Sequence, residues 1–215
     1  MESNFLKRFL TSIFLIILIF LIFIYNYILV FSLLILGIFS FLEFSKISKK
    51  ITKSASKNLL INIIFLNYVF VFSVSFYFFS NFFSTKIILF LILTSCISSD
   101  IGGYVFGKIL KGPKLTKLSP NKTISGAIGS VVLSCLTISL LSYLMTKNLN
   151  YSIIMVGILT SLGCQIGDLF FSFLKRKAKV KDTGNFFPGH GGVLDRLDGI
   201  FLGVPTGYLS LILLY

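Results

Sequence analysis

Acidic side chains are scarce in this chain: Asp and Glu together number 7 in 215 residues, against 20 Lys and Arg. Charged residues of both signs make up only 13% of the sequence, where a soluble globular domain carries roughly 25%. That shortfall argues against a soluble globule. Histidine occurs once, at His190, so there is no serine–histidine or cysteine–histidine pairing around which to build a nucleophilic mechanism. Cysteine occurs three times, at Cys96, Cys135 and Cys164, far apart and each inside an apolar run. This spacing suggests neither a disulfide framework nor a thiolate metal site, and leaves the three as small buried hydrophobes. Internal repeats and low-complexity linkers are also lacking.

What is abundant is apolar. Hydrophobic residues account for 55% of the chain and a further 17 residues are glycine, which is a membrane composition. The formal net charge of +13 would suggest nucleic acid as partner in a soluble protein. Here the bilayer has to be considered first.

A hydrocarbon core of about 30 Å takes around 20 helical residues to cross. Seven stretches approach that length, at roughly 9–24, 28–44, 59–79, 87–110, 124–145, 153–174 and 200–215. The first two form a hairpin over Tyr25, Asn26 and Tyr27. Lys7 and Arg8 ahead of an apolar run look like the start of a signal peptide. The run is long, however, and no small-residue cleavage pattern follows it, so the segment is expected to stay as a span. Seven spans make the connections alternate between sides, and the count can then be tested on charge. One side receives Lys7 and Arg8, the cluster from Lys46 to Lys57, the cluster from Lys108 to Lys122, and Lys175 to Lys181 with Arg196, which is 18 of the 20 basic residues. The other side keeps Lys86 and Lys147. The expectation is an all-α, polytopic integral membrane protein of about seven transmembrane helices with a cytoplasmic N-terminus.

Glu2 and Glu43 fall at span ends and are expected to lie exposed and solvated. Asp100 and Asp168 lie within spans, where a charge costs about 3 kcal/mol or more unless it is paired, liganded or wet. On the sixth span Ser161, Gln165, Asp168, Ser172, Lys175 and Arg176 share one helical face. That stripe suits a functional surface, with interhelical hydrogen bonding as the plain alternative. On the fourth span Ser95, Ser99, Gly103 and Gly107 recur every four residues, the spacing of close helix packing. Packing does not explain Asp100 beside them.

The segment after the sixth span is the most informative. It runs from Lys175 and Arg176 through Lys181 and Asp182 to Pro188-Gly189-His190-Gly191-Gly192 and then to Asp195, Arg196 and Asp198. A glycine-rich turn allows backbone amides to approach an anion, and acids three apart sit together on a helical face. Acids beside bases at such a turn are the parts that hold a magnesium–polyphosphate complex. A second basic loop, 111–123, offers Ser119, Lys122 and Thr123 as further donors to phosphate.

These residues resemble the phosphatidate cytidylyltransferase (CDP-diacylglycerol synthase) family. The likeness rests on Ser172, Lys175, Arg176, Lys181, Asp182, Gly184, Pro188, His190, Gly191, Gly192, Asp195, Arg196 and Asp198 at fixed spacing. It is supported by Gln165 to Leu169, by Ser99, Asp100, Tyr104 and Gly107, and by Ser119 to Thr123. It covers about 95–199. The chain departs from it at Ile124-Ser125-Gly126, where many relatives carry an aromatic residue and a Glu. It also departs in its shorter N-terminal half.

The resemblance implies transfer of a cytidylyl group from CTP to phosphatidate, in phospholipid biosynthesis, by a multi-pass enzyme of the cell inner membrane whose active site faces the cytoplasm. It implies N-terminal transmembrane helices over 1–84 (three spans) and a catalytic transmembrane region over 85–215, with cytoplasmic loops at 108–123 and 175–199. Asp168, Lys175, Asp195 and Arg196 are the implied catalytic residues. Asp100, Ser119, Lys122, Thr123, Ser172, Arg176, Lys181, His190, Gly191 and Gly192 are the implied substrate-binding set. Mg²⁺ would be held by Asp168 and Asp195, with Asp198 a third candidate and room for a second cation. His190 either bonds a phosphate or shapes the turn, and both remain open. The implied partners are CTP, phosphatidate and the bilayer, with no nucleic acid, and a homodimer is allowed. Two other readings stand beside this one, a CTP-dependent kinase of a long-chain lipid alcohol and a cation-coupled transporter.

Overall fold

In hydrocarbon a single crossing segment has to satisfy its own backbone N–H and C=O groups, and the α-helix does so. Each apolar stretch accordingly becomes one helix in the computed structural model: α1 (Glu2–Ile24), α2 (Asn26–Ile51), α3 (Ala55–Ser80), α4 (Phe83–Leu110), α5 (Ile124–Thr146), α6 (Tyr151–Lys177) and α7 (Leu194–Leu214). The structure describes the backbone of residues 2–116, 119, 122–148, 150–186 and 191–214, and the side chains of that set except those of 2–10 and 12. Among the described residues α2 to α7 are each long and apolar enough to cross a membrane, and α1 contributes the shorter apolar run Ile13–Ile24. The chain is an all-α, multi-pass membrane protein.

The helices run past the apolar limits on which the sequence expectation rests. α2 continues to Ile51 and takes Lys49 and Lys50 into its last turn. α6 ends on Lys175, Arg176 and Lys177, where cations complement the C-terminal end of the helix dipole. α7 starts at Leu194, about two turns before the predicted 200, so Asp195 and Asp198 lie on a helix. Hydropathy cannot see these turns, because they are polar helix emerging from the apolar layer.

The chain forms two compact units, each discontinuous in sequence: Met1–Lys86 with Leu174–Leu197, and Ile87–Phe173 with Asp198–Tyr215. In the first, α2 packs on α1 and α3. Phe44 stacks on Phe65 with ring centroids 3.8 Å apart, and Ser48 Oγ bonds Asn58 Oδ1 at 2.7 Å and Asn62 Oδ1 at 2.9 Å. In the second unit α4 to α7 associate through small residues and hydroxyls, as expected where lipid is as apolar as the helices and hydrophobicity drives no association. A Cβ on Gly102 would overlap the Gly129 carbonyl oxygen and lie 2.9 Å from its carbon, so α4 meets α5 backbone to backbone. Ser95 Oγ and Ser134 Oγ are 2.5 Å apart, and Ser134 also donates to the Gly157 carbonyl at 3.0 Å.

Two features of the α6 stripe therefore have plain structural roles. Ser161 shares a 2.8 Å hydrogen bond with Ser99, and Gln165 donates to the Ala127 carbonyl at 3.2 Å. The upper half of the stripe is interhelical glue. Its polarity turns to charge only from Asp168 downward.

Candidate functional site

In the first unit the end of α6, the loop after it and the start of α7 make a compact polar cluster. Val180 N donates to the Lys175 carbonyl and Lys179 N to the Arg176 carbonyl, both at 3.0 Å. Lys179 adopts a left-handed conformation with φ of 55°. This pairing is the helix-ending arrangement in which the last carbonyls are satisfied by a reversing chain. Lys175 Nζ stands 2.7 Å from Asp195 Oδ1, with the two side chains 14% and 8% exposed. The other oxygen, Oδ2, accepts from Thr183 N at 2.8 Å, Thr183 Oγ1 at 3.0 Å and Gly192 N at 3.1 Å. Gly191 has φ of 89°, a conformation glycine adopts without the Cβ penalty.

Glu43 is a correction to the sequence reading. Expected exposed at a span end, it is 5% exposed. Its Oε1 accepts from Val193 N at 3.0 Å, and its Oε2 accepts from Leu194 N at 2.9 Å and Thr183 Oγ1 at 2.7 Å. A Cβ on Gly184 or on Gly192 would strike this carboxylate. Two glycines of the motif region are thus glycine because a side chain of α2 occupies the space. The available signal was an acid flanked by Phe41, Leu42 and Phe44, an apolar setting for a solvated group.

In the second unit Lys122 pairs with Asp168, with side chains 26% and 33% exposed. The loop carrying Lys122 is held by bonds from Leu115 N to the Lys122 carbonyl at 2.8 Å and from Ile124 N to the Pro113 carbonyl at 2.9 Å. Thr123 caps α5: its Oγ1 accepts from Gly126 N at 3.1 Å, which gives this hydroxyl a structural task. Ser119 N donates to Thr116 Oγ1 at 3.3 Å. Asp198 is buried, and its Oδ1 accepts from Gly199 N at 3.0 Å. Asp100 is exposed on α4, next to buried Ser99.

The cluster around Asp195 thus brings together Lys175, Asp195, Gly191 and Gly192, and the second pairing joins Lys122 to Asp168. Arg176, Lys181 and Arg196 are exposed, and Ser172 is half-buried. His190, with Pro188 and Gly189, lies outside the described residues.

Among the described residues no three His, Cys, Asp or Glu side chains converge on one point. Magnesium is commonly held by one or two carboxylates together with substrate phosphates rather than by an all-protein cage. Carboxylates such as Asp168 and Asp195, each beside an ammonium group, fit that mode, since their oxygens are the hard donors it needs.

A model of the cytidylyltransferase family matches residues 4–214. The chain belongs to the cytidylyltransferase family. Similar proteins include the phosphatidate cytidylyltransferase of Brucella suis biovar 1 (strain 1330), 41% identical over 128 residues, which are 59% of this chain and 46% of that protein. That of Helicobacter pylori (strain ATCC 700392 / 26695) is 39% identical over 112 residues, 52% of this chain and 42% of that protein. That of Rickettsia bellii (strain RML369-C) is 41% identical over 125 residues, 54% of each. The matched part of the chain spans about half the length of these curated relatives.

Proposed function

We propose that this chain converts CTP and phosphatidate to CDP-diacylglycerol and diphosphate, at the cytoplasmic face of a cell inner membrane. The observation that carries the reading is the family match over residues 4–214, with relatives that bear the name phosphatidate cytidylyltransferase. The Lys175–Asp195 and Lys122–Asp168 pairs support it by holding cations and carboxylates at the two basic loops.

The chemistry asks little of the protein as base. The nucleophile is a phosphate oxygen of the lipid, largely ionised near neutrality because its second pKa is about 6. It attacks the α-phosphorus of CTP, and the bond from that phosphorus to the bridging oxygen of the departing diphosphate breaks. What remains is to bring polyanions together and to stabilise the leaving group. Lys175, Arg176 and Arg196 would hold phosphates, with Lys122 and Ser119 contributing from the other loop. Bound Mg²⁺ would supply charge neutralisation for the leaving diphosphate. Asp168, Asp195 and Asp198 are the carboxylates proposed to hold it.

The test is product analysis with the purified chain in detergent and CTP labelled in the cytidine and in the γ-phosphate. Diphosphate release with CMP retained on lipid, only when phosphatidate and Mg²⁺ are both present, supports the reading. Release of CDP with the γ-phosphate on lipid would make the protein a lipid kinase. No CTP consumption under any of these conditions would favour a transport role.

A further inference from the structure

Helix α7 begins without a local cap. Val193 stands at the N-cap position, its carbonyl accepting from Arg196 N at 3.0 Å and Leu197 N at 3.2 Å. Its side chain has no acceptor to offer. Ser, Thr, Asp or Asn ordinarily fills that position, because the first amides of a helix have no intrahelical partner. Here the missing acceptor comes from another helix. Glu43 of α2 takes the amides of Val193 and Leu194, while the preceding amide, Gly192 N, goes to Asp195. Three consecutive N–H groups are therefore divided between two carboxylates.

Thr183 joins those two carboxylates. Its Oγ1 lies 2.7 Å from Glu43 Oε2 and 3.0 Å from Asp195 Oδ2. A hydroxyl has one proton to give, so it serves one carboxylate at a time and couples their positions. Thr183 is itself buried. The site motif offers no reason for an acid in α2, about 140 residues away in sequence. The arrangement supplies one: the turn that aims Asp195 at Lys175 is built around the Glu43 carboxylate, and Gly184 and Gly192 leave room for it.

We propose that Glu43 is a positioning residue for the reaction, acting through Thr183 and the Gly192–Leu194 amides to hold the Asp195 carboxylate against Lys175. The inference rests on the function proposed above, since Asp195 takes its place in the chemistry from that reading. It is tested on the full chain in detergent with Glu43→Gln, Thr183→Val and Thr183→Ser. A glutamine offers one oxygen where three donors converge, so at least one amide loses its partner. Thr183→Val removes the shared hydroxyl and leaves both carboxylates in place, and its near-equal volume keeps it informative should Glu43→Gln fail to fold.

Three readouts are compared. Hydrogen exchange of at least one of the Val193 and Leu194 amides rises by about tenfold or more in Glu43→Gln, as its bonded partner is lost. Acetylation of Lys175 by a small acylating reagent, read by mass spectrometry, rises in both Glu43→Gln and Thr183→Val and returns to the wild-type rate in Thr183→Ser. The kcat falls by about 10- to 100-fold, the range seen when supporting partners of a site are removed, while KM for CTP moves less than about threefold. Faster exchange with unchanged Lys175 reactivity and unchanged kcat would make Glu43 a helix cap and nothing more, and would overturn the proposal. If the wild-type chain makes no CDP-lipid, the functional reading falls. Exchange and Lys175 acetylation then still decide whether Glu43 sets the Asp195–Lys175 geometry.

Discussion

Lys175 Nζ meets Asp195 Oδ1 at 2.7 Å, and the other oxygen of that carboxylate is filled by three uncharged donors from Thr183 and Gly192. The burial of the pair decides what its loss should do. Removing one partner of a buried pair costs about 3–5 kcal/mol, against about 0–1 kcal/mol at the surface. Lys175→Met should therefore lower the unfolding midpoint measurably in detergent as well as stop turnover. Asp195→Asn keeps an acceptor for the Thr183 and Gly192 donors but leaves the Lys175 ammonium unpaired, so its unfolding midpoint should fall as well, and the folded protein should have lost about 100-fold or more of its activity. Near-normal Mg²⁺-dependent turnover in Asp195→Asn would remove that residue from the site.

The Lys122–Asp168 pair is a different case, because both side chains are roughly a quarter to a third exposed. An ion pair so placed contributes about 0.2–1 kcal/mol, too little to be the reason for an acid in α6. Lys122→Met should leave thermal unfolding nearly unchanged and raise KM for CTP by about tenfold. Asp168→Asn should abolish turnover with similarly small effect on unfolding. A large loss of stability in either variant, with activity retained in the folded fraction, would make the pair structural.

Among the described residues the seven helices were legible because apolar runs of spanning length have one stable conformation in lipid. The limits of α2, α6 and α7 were not, since their last turns are polar and hydropathy stops where the apolar layer does. The charged half of the α6 stripe was legible in Asp168 and Lys175. Its upper half misled, because Ser161 and Gln165 look the same in sequence whether they face a ligand or, as here, Ser99 and the Ala127 carbonyl. Thr123 offers a hydroxyl to phosphate in sequence, and the sequence does not show that in the fold its Oγ1 also accepts from Gly126 N as the cap of α5. Glu43 was missed for a deeper reason. Its partners Thr183, Val193 and Leu194 are supplied by tertiary structure, and no local pattern around 43 encodes them.

The contact between α4 and α5 makes a prediction independent of function. A side chain at Gly102 would overlap the Gly129 carbonyl and come within 3.0 Å of Leu133 Cβ, and neither backbone can yield without moving a helix. Overpacking of this kind typically costs about 1–3 kcal/mol. Gly102→Val is expected at the upper end of that range, read as a fall in unfolding midpoint in detergent. Gly37→Ala is the control: its new methyl meets only Val69 Cγ1 at 3.3 Å, and alanine is the better helix former by roughly 0.8–1 kcal/mol. Equal effects from the two substitutions would mean that α4 and α5 do not meet at Gly102.

The charge arrangement predicts the sidedness of the chain. Lys114 and Lys179 belong to the basic group of 18, and Lys147 belongs to the sparse one with Lys86. Basic residues in short connections collect on the cytoplasmic side. Lys147 is exposed just past α5, and Lys179 is exposed just past α6, so both are open to reagents at opposite ends of successive helices. Single cysteines placed at 114, 147 and 179, with Cys96, Cys135 and Cys164 replaced by Ser or Ala, should divide accordingly. In intact cells a membrane-impermeant maleimide should label the cysteine at 147 alone. After the membrane is opened, all three should react. Labelling of the 114 or 179 cysteine from outside would reverse the orientation and move the Lys175–Asp195 cluster away from the compartment that holds CTP.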